Sequence, residues 1–281
     1  VASPPARPGP VLLTGANSGI GLAASLRLAE RGWEVWGTVR SRSKVAALRA
    51  AGRQAGVGER IRPVLLDVSD HDAVVARFRR FPAFWAVVNN AGMGVTGAVE
   101  EVPAEHAKEV LDVNLVTPAV VAACALPAMR ERGSGRIVMV SSIAGRVAVL
   151  PFQAWYHASK FGLEALSDVL RVEVAPFGVQ VVVVQPGFFA TSILGKAEEQ
   201  AQRRDTSSPY ASGYARTSAI TTMIERVAPQ PDAVAAAVVT AVESRRPRRR
   251  YLVGRETLPV RGLGYVPSPI TDRVVRIVAD L

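Results

Sequence analysis

Short unbroken runs of apolar residues alternate along the chain with stretches whose apolar residues recur every three or four positions. The unbroken runs are PVLLTG (10–15), WEVWGTV (33–39), IRPVLLDV (61–68), FWAVVNNAG (84–92), RIVMVSS (136–142) and VQVVVVQPG (179–187), with a shorter one near 250–254. Runs of this length, rich in Val, Ile and Leu, predict strands buried on both faces. Residues 19–32 place Ile20, Leu22, Ala23, Leu26 and Ala29 at helical spacing, and Gly32 closes the helix. Further helices are expected over 42–51, 70–80, twice within 103–132, over 153–176 and over 231–244. Residues 188–229 show no strand pattern and read as a flap-like insertion. Residues 255–281 form a Pro/Gly-rich tail ending in a helix at about 270–280.

Strands alternating with helices imply right-handed βαβ crossovers and a mostly parallel sheet covered on both faces. No linker, composition shift or internal repeat divides the chain. The expected fold class is α/β: a doubly wound parallel sheet (Rossmann fold) in one domain spanning residues 1–281, with a substrate flap.

A hydrophobic content of 49% allows a large core, and 34 Lys+Arg against 24 Asp+Glu give a net charge of +10. Basic chains can bind nucleic acid. Here the excess is scattered, apart from the run Arg245-Arg246-Pro247-Arg248-Arg249-Arg250. That run is short, has no interleaved aromatics and reads as the solvated end of a helix, so no nucleic-acid partner is expected. The single cysteine, Cys124, sits in an apolar helical run and suits a small packed residue in a reducing compartment. The opening VASPPARPGP lacks the apolar core of a secretory leader. No stretch approaches the ~20 continuous apolar residues of a membrane span. A cytoplasmic location is the expectation.

The first candidate chemistry is TGANSGIG (14–21), between the first strand and the first helix. Its glycines allow a tight turn and close backbone approach, and the helix N-terminus offers free N–H groups to a pyrophosphate. Gly15, Asn17, Ser18, Gly19, Ile20 and Gly21 are the candidate cofactor contacts here. A site for NAD(H) usually carries a carboxylate at the end of the second strand, for the ribose 2′-hydroxyl. This strand ends GTVRSRSK, without one. Arg40, helped by Arg42 or Lys44 and by Ser18, suits a 2′-phosphate, so NADP(H) is favoured over NAD(H). Asp67 and Val68 end the third strand, where Asp67 could accept from an adenine amino group. Asn90, Ala91 and Gly92 would continue the cofactor's floor.

The second is SSIAGRVAVLPFQAWYHASK (141–160). Tyr156 and Lys160 are four apart on one helix and share a face. A phenol titrates near pH 10, and a nearby ammonium stabilises the phenolate. Tyr156 could then act as acid toward a ketone and as base toward an alcohol. A serine from the preceding strand end can hold the substrate oxygen.

In chain order the motifs are T-G-x-x-x-G-x-G, D-V, N-N-A-G, the Asn of DVNLVTP, S-S, Y-x-x-x-K and P-G-x-x-x-T. Together they resemble the short-chain dehydrogenase/reductase family in its single-domain branch, over about residues 10–255. VWGTVR, VSSIAG and RPRRRYLVG resemble its hydroxysteroid- and retinol-dehydrogenase-like members. The resemblance implies an NADP-dependent alcohol dehydrogenase/ketone reductase. Tyr156 is then the acid/base, and Lys160 lowers its pKa and binds the nicotinamide ribose. Asn114 holds a water that links Lys160 to solvent. Pro186, Gly187, Phe189 and Thr191 line the nicotinamide side. The family's active serine stands thirteen positions before the tyrosine, where this chain has Ile143. Aligning VSSIAG on the strand favours Ser142 over Ser141 and leaves one extra residue in the loop RVAVLPFQA. The connection before the fourth strand, RRFPAFWAVVNN, is also short.

Apolar residues flank the cluster: Met93, Val95, Val147, Leu150, Phe152, Trp155, Phe188, Phe189 and Ile193, with Tyr210, Tyr214 and Met223 from the flap. As a set they suggest a hydrophobic alcohol or ketone, steroid-like, retinoid-like or aliphatic. Lys196, Arg203 and Arg204 in the flap keep a phosphorylated or carrier-bound substrate in view. A non-catalytic NADP-binding sensor is the other alternative. His71 and His106 lie far from the cluster, and His157 is expected to point roughly 100° away from Tyr156. No spacing suggests a metal site. By family analogy, the helices near 113–132 and 153–176 pair between subunits in a homo-dimer or homo-tetramer.

Overall fold

The computed structural model describes residues 9–148, 150–187, 189, 207–254, 257, 262 and 266–279. Its sheet has seven strands: β1 (Pro10–Thr14), β2 (Glu34–Val39), β3 (Ile61–Leu65), β4 (Ala86–Asn89), β5 (Gly135–Val140), β6 (Val179–Pro186) and β7 (Arg250–Val253). All pairings are parallel, in the order β3-β2-β1-β4-β5-β6-β7. The strand order reverses between β1 and β4, which opens a crevice at the C-terminal ends of the strands.

The period-2 alternation of strand side chains explains why these runs are apolar throughout. On one face Val11, Leu13, Val88, Val138, Val140, Val182 and Val184 pack against α1 (Gly19–Glu30), α2 (Arg42–Gln54) and a late helix, Asp232–Glu243. On the other, Leu12, Val87, Ile137, Met139, Val181 and Val183 meet α3 (His71–Phe78), α5 (Thr117–Arg132) and α6 (Ala154–Val174). Register aligns Leu12, Val87, Ile137 and Val181 in one row across four strands. The helix α4 (Ala104–Leu111) runs into α5 through one wide turn, Asp112–Val116.

Three expectations change. The two helices within 103–132 are continuous, and Ala104–Arg132 is by length and composition apolar enough to cross a membrane. Val110, Val121, Ala122, Ala125 and Met129 of this stretch are buried in the fold, as in a core helix. The late helix, α8 (Asp232–Glu243), ends before the arginine run. Arg245, Arg246, Arg248 and Arg249 are exposed, but Arg250 opens β7 and turns inward to Glu164 and Asp168. The described part of the flap contains a helix, α7 (Ala211–Val227). Tyr214 docks it, accepting from the Ala98 N–H at 2.8 Å and donating to Glu101 Oε2. A helix, α9 (Ser268–Ala279), lies in the tail.

Candidate active site

The glycine turn is built without spare room. Gly15 and Gly19 have φ of +69° and +50°, in the left-handed region that favours glycine. A Cβ on Gly21 would lie 2.1 Å from the Gly15 carbonyl oxygen. Asn90 staples the turn to β4: its Nδ2 donates to the carbonyls of Thr14 (2.9 Å) and Gly15 (3.2 Å). The Thr14 hydroxyl in turn accepts from the N–H groups of Asn90 and Ala91. Ser18 precedes α1 but makes no side-chain cap bond, and no carboxylate lies in the first turn. The leading N–H groups of α1 therefore have no side-chain cap or acidic neighbour of their own, as an anion site requires.

A cleft of about 490 Å³ follows the C-terminal edge of the sheet. Its lining includes Gly15, Asn17, Ser18, Gly19, Ile20, Gly21, Arg40, Lys44, Asp67 and Val68 at one end. Asn90, Ala91, Gly92, Pro186, Gly187 and Phe189 line the middle, with Tyr156 and Lys160 at the other end. Arg40 is exposed at the end of β2. Asp67 Oδ1 accepts from the Ser69 backbone N–H and hydroxyl. Thr191 and Phe188 lie outside the described residues, as do Ile193, Lys196, Arg203 and Arg204.

Tyr156 and Lys160 rise from the first turns of α6. Burial pushes the Tyr156 phenol above its ordinary range, and a hydrogen bond from Ser142 pulls it part of the way back. Ser142 also accepts from the Ala144 N–H at 3.1 Å, opening a 3-10 turn over Ile143–Gly145. The neighbouring Ser141 lines the cleft too, but its hydroxyl is buried beside Gly145, with no hydrogen-bond partner among the described residues. Both serines follow the end of β5, so the turn, rather than strand alternation, separates their directions. Lys160 is 4% exposed, and burial lowers its ammonium to about 8 against the raising field of Glu164. Its Nζ donates to the Val140 carbonyl at 3.1 Å and lies 5.8 Å from the Tyr156 ring centroid. Lys160 makes no direct bond to the phenol, whose shift comes from burial and Ser142.

Asn114 does not line the cleft. It is fully buried behind Gly92, in the wide turn between α4 and α5. Its Oδ1 accepts from the Met93 N–H (2.9 Å), and its Nδ2 donates to the Met93 carbonyl (2.8 Å) and Ser159 Oγ (3.0 Å). Ser159 donates to the Tyr156 carbonyl at 2.7 Å, so Asn114 braces the helix that carries the tyrosine.

Of the apolar candidates, Met93, Val95, Val147 and Leu150 line the cleft; Phe152, Trp155 and Tyr210 do not. Phe152 takes φ +64°, the one positive value among described non-glycine residues. This bend in the loop before α6 turns its ring onto Tyr214 (centroids 4.4 Å) and Tyr210 (6.0 Å). Trp155 packs beside Val95, Val102 and Val110, and Met223 is exposed. Sequence reading missed Gln153, His157 and Glu109, which line the cleft. Gln153 was recoverable, standing three residues before Tyr156 on the same face. His157 does not point clear of the site. Its Nδ1 donates to the Ala144 carbonyl at 2.8 Å, because the 3-10 turn wraps under the helix. Among the described residues no cluster could hold a metal ion. Cys124 is half-buried, and burial raises its thiol pKa.

Residues 10–202 match the model of the short chain dehydrogenase family. The chain belongs to the short-chain dehydrogenase/reductase family. Membership makes it a pyridine-nucleotide oxidoreductase, and the parallel sheet its Rossmann fold. A probable short-chain type dehydrogenase/reductase of Helicobacter pylori is 34% identical over 95% of this chain and 96% of its own length. Human 17-beta-hydroxysteroid dehydrogenase type 1 is 33% identical over 89% of this chain and 79% of its own. A short-chain dehydrogenase from Burkholderia cenocepacia, solved in complex with NADP, superposes with a TM-score of 0.72. It is 25% identical, over 95% of this chain and 98% of that one.

Proposed function

We propose that this chain is an NADP(H)-dependent oxidoreductase acting on the carbonyl or secondary alcohol of a hydrophobic substrate, with Tyr156 as the acid/base. The observation that carries the proposal is that Ser142, Tyr156 and the buried Lys160 line one cleft with the glycine turn. The bound dinucleotide supplies or accepts the hydride. In the reducing direction Tyr156 Oη gives its proton to the substrate oxygen. Ser142 donates to the same oxygen region and steadies the phenolate left behind, and the Lys160 ammonium opposes its charge.

The glycine turn, the α1 N-terminus and the long cleft fit a dinucleotide. Arg40, Lys44 and Ser18 line the end away from Tyr156, where β2 ends without a carboxylate, which supports the 2′-phosphate form. The relative solved with NADP points the same way. Met93, Val95, Val147 and Leu150 make the substrate side apolar, and the hydroxysteroid dehydrogenase relative supports a bulky alcohol or ketone. Val116, Phe161, Val169 and Val172 lie exposed on and beside α5 and α6, which supports pairing of these helices between copies.

The test is Tyr156→Phe, assayed on a panel of hydrophobic ketones by NADPH absorbance. Turnover falls by about 10²–10⁴-fold while NADPH binding, read by fluorescence titration, is retained. Undiminished turnover would remove Tyr156 from the chemistry.

A further inference from the structure

Lys160, Glu164 and Asp168 recur every four residues and so lie along one face of α6. Glu164 is 4% exposed. Its Oε1 accepts from Gln185 Nε2 of β6 at 2.9 Å, and its Oε2 from Arg250 Nε of β7 at 2.9 Å. Arg250 reaches on to Asp168, which also meets Arg171. A ladder of alternating charges thus runs from the buried end of the cleft to the solvent edge of β7. A carboxylate this deep needs a partner, and Arg250 with Gln185 gives both oxygens one. Gln185 directly precedes Pro186 and Gly187 in the cleft wall, so Glu164 lies one turn along α6 from Lys160 and is also bonded to the strand end that carries that wall.

We propose that Glu164 is a positioning residue for Lys160, holding the lysine in its charged form, and that Arg250 tunes this hold from the edge strand by sharing the Glu164 carboxylate. The proposal rests on the functional reading only for what Lys160 does; its charge state is a property of the chain alone. Other titratable groups near Lys160 are Tyr156 and His157 on its own helix and Glu109 of α4 across the cleft. Arg250 and Asp168 lie beyond Glu164. Glu164 is the carboxylate whose field favours the ammonium against burial. Because Arg250 neutralises part of that field, the two residues act on Lys160 with opposite signs.

The chain has four lysines, Lys44, Lys108, Lys160 and Lys196, so lysine-selective ¹³C NMR of the full protein resolves them. The Lys160 signal is assigned by its loss in Lys160→Met. Its midpoint in a pH titration is expected near 8. Glu164→Gln lowers that midpoint by about one pH unit. Arg250→Gln, which frees the Glu164 field, raises it. Glu173→Gln, the same charge change at an exposed site on α6, leaves it in place. Should Glu164→Gln fail to fold, the rise in Arg250→Gln against the still Glu173→Gln control carries the test alone. Midpoints that stay fixed, or that move the same way in the Glu164 and Arg250 variants, overturn the proposal. The readout uses neither substrate nor cofactor. Opposite shifts in a protein without ketone reduction would therefore keep this inference and reject the functional reading.

Discussion

Pro118 stands four residues after Asn114 and has no N–H to give to the Asn114 carbonyl. A proline inside a helix removes that bond, and its ring crowds the carbonyl four residues back. The turn over Asp112–Val116 is accordingly wide, closing from the Thr117 N–H to the Asp112 carbonyl. Wide turns of this kind recur at functional sites. The side chain of Asn114 is engaged by Met93 and Ser159, so we propose that the water expected beside Lys160 is held by its carbonyl. Pro118→Ala restores the donor and tightens the turn. We expect turnover to drop about tenfold while stability to urea holds or rises. Full turnover in this variant would exclude the carbonyl from proton transfer.

The proposed preference for NADP(H) rests on Arg40, which lines the cleft at the end of β2. Arg40→Asp places a carboxylate at the end of β2, where it repels a 2′-phosphate and accepts from a 2′-hydroxyl. The NADPH Michaelis constant is expected to rise about 10-fold or more, equivalent to one lost charge-assisted bond of roughly 1.5–3 kcal/mol. The NADH constant should change little or fall. Steady-state kinetics with both cofactors decides it, and equal effects would show that Arg40 does not read the phosphate.

Buried His157 is expected to make the fold acid-sensitive. Burial lowers its pKa from the ordinary 6.5, against the raising effect of its bond to Ala144. Below pH 6.5 the unfolded chain takes up a proton that the folded one resists, so stability falls as the pH drops through that window. His157→Asn keeps a donor for the Ala144 carbonyl and removes the titration. Denaturant midpoints at pH 5 and pH 7 should therefore lie closer together in the variant than in the parent. Identical pH dependence in the two proteins would show that His157 contributes nothing to it.

The sheet could be read from the chain because double burial forces unbroken apolar runs, and such runs leave few alternatives. The glycine turn was legible for a similar reason, since Gly15 and Gly19 occupy backbone regions closed to most residues. The helix Ala211–Val227 was not. Its face is held by Tyr214 reaching Glu101 and Ala98, more than a hundred positions away, and its own apolar periodicity is weak. Glu164, Gln185 and Arg250 come from three elements, and no local pattern joins them. Phe152 read as pocket wall because it is large and close in sequence to Tyr156. One left-handed backbone angle turns its ring onto Tyr210 and Tyr214, and a residue pattern does not record such an angle.

The bonds between Thr14 and Asn90 join residues 76 positions apart. At a synthesis rate of about 5–20 residues per second, roughly 4–15 seconds pass between the emergence of the two. During that interval Thr38 of β2 can hold the glycine loop at Gly15 and Ala16, but the Asn90 brace is missing and one edge of β1 stays open until β4 arrives. A polypeptide released early, before Asn90, would hold every glycine of the turn and still lack the bonds that tie it to β4.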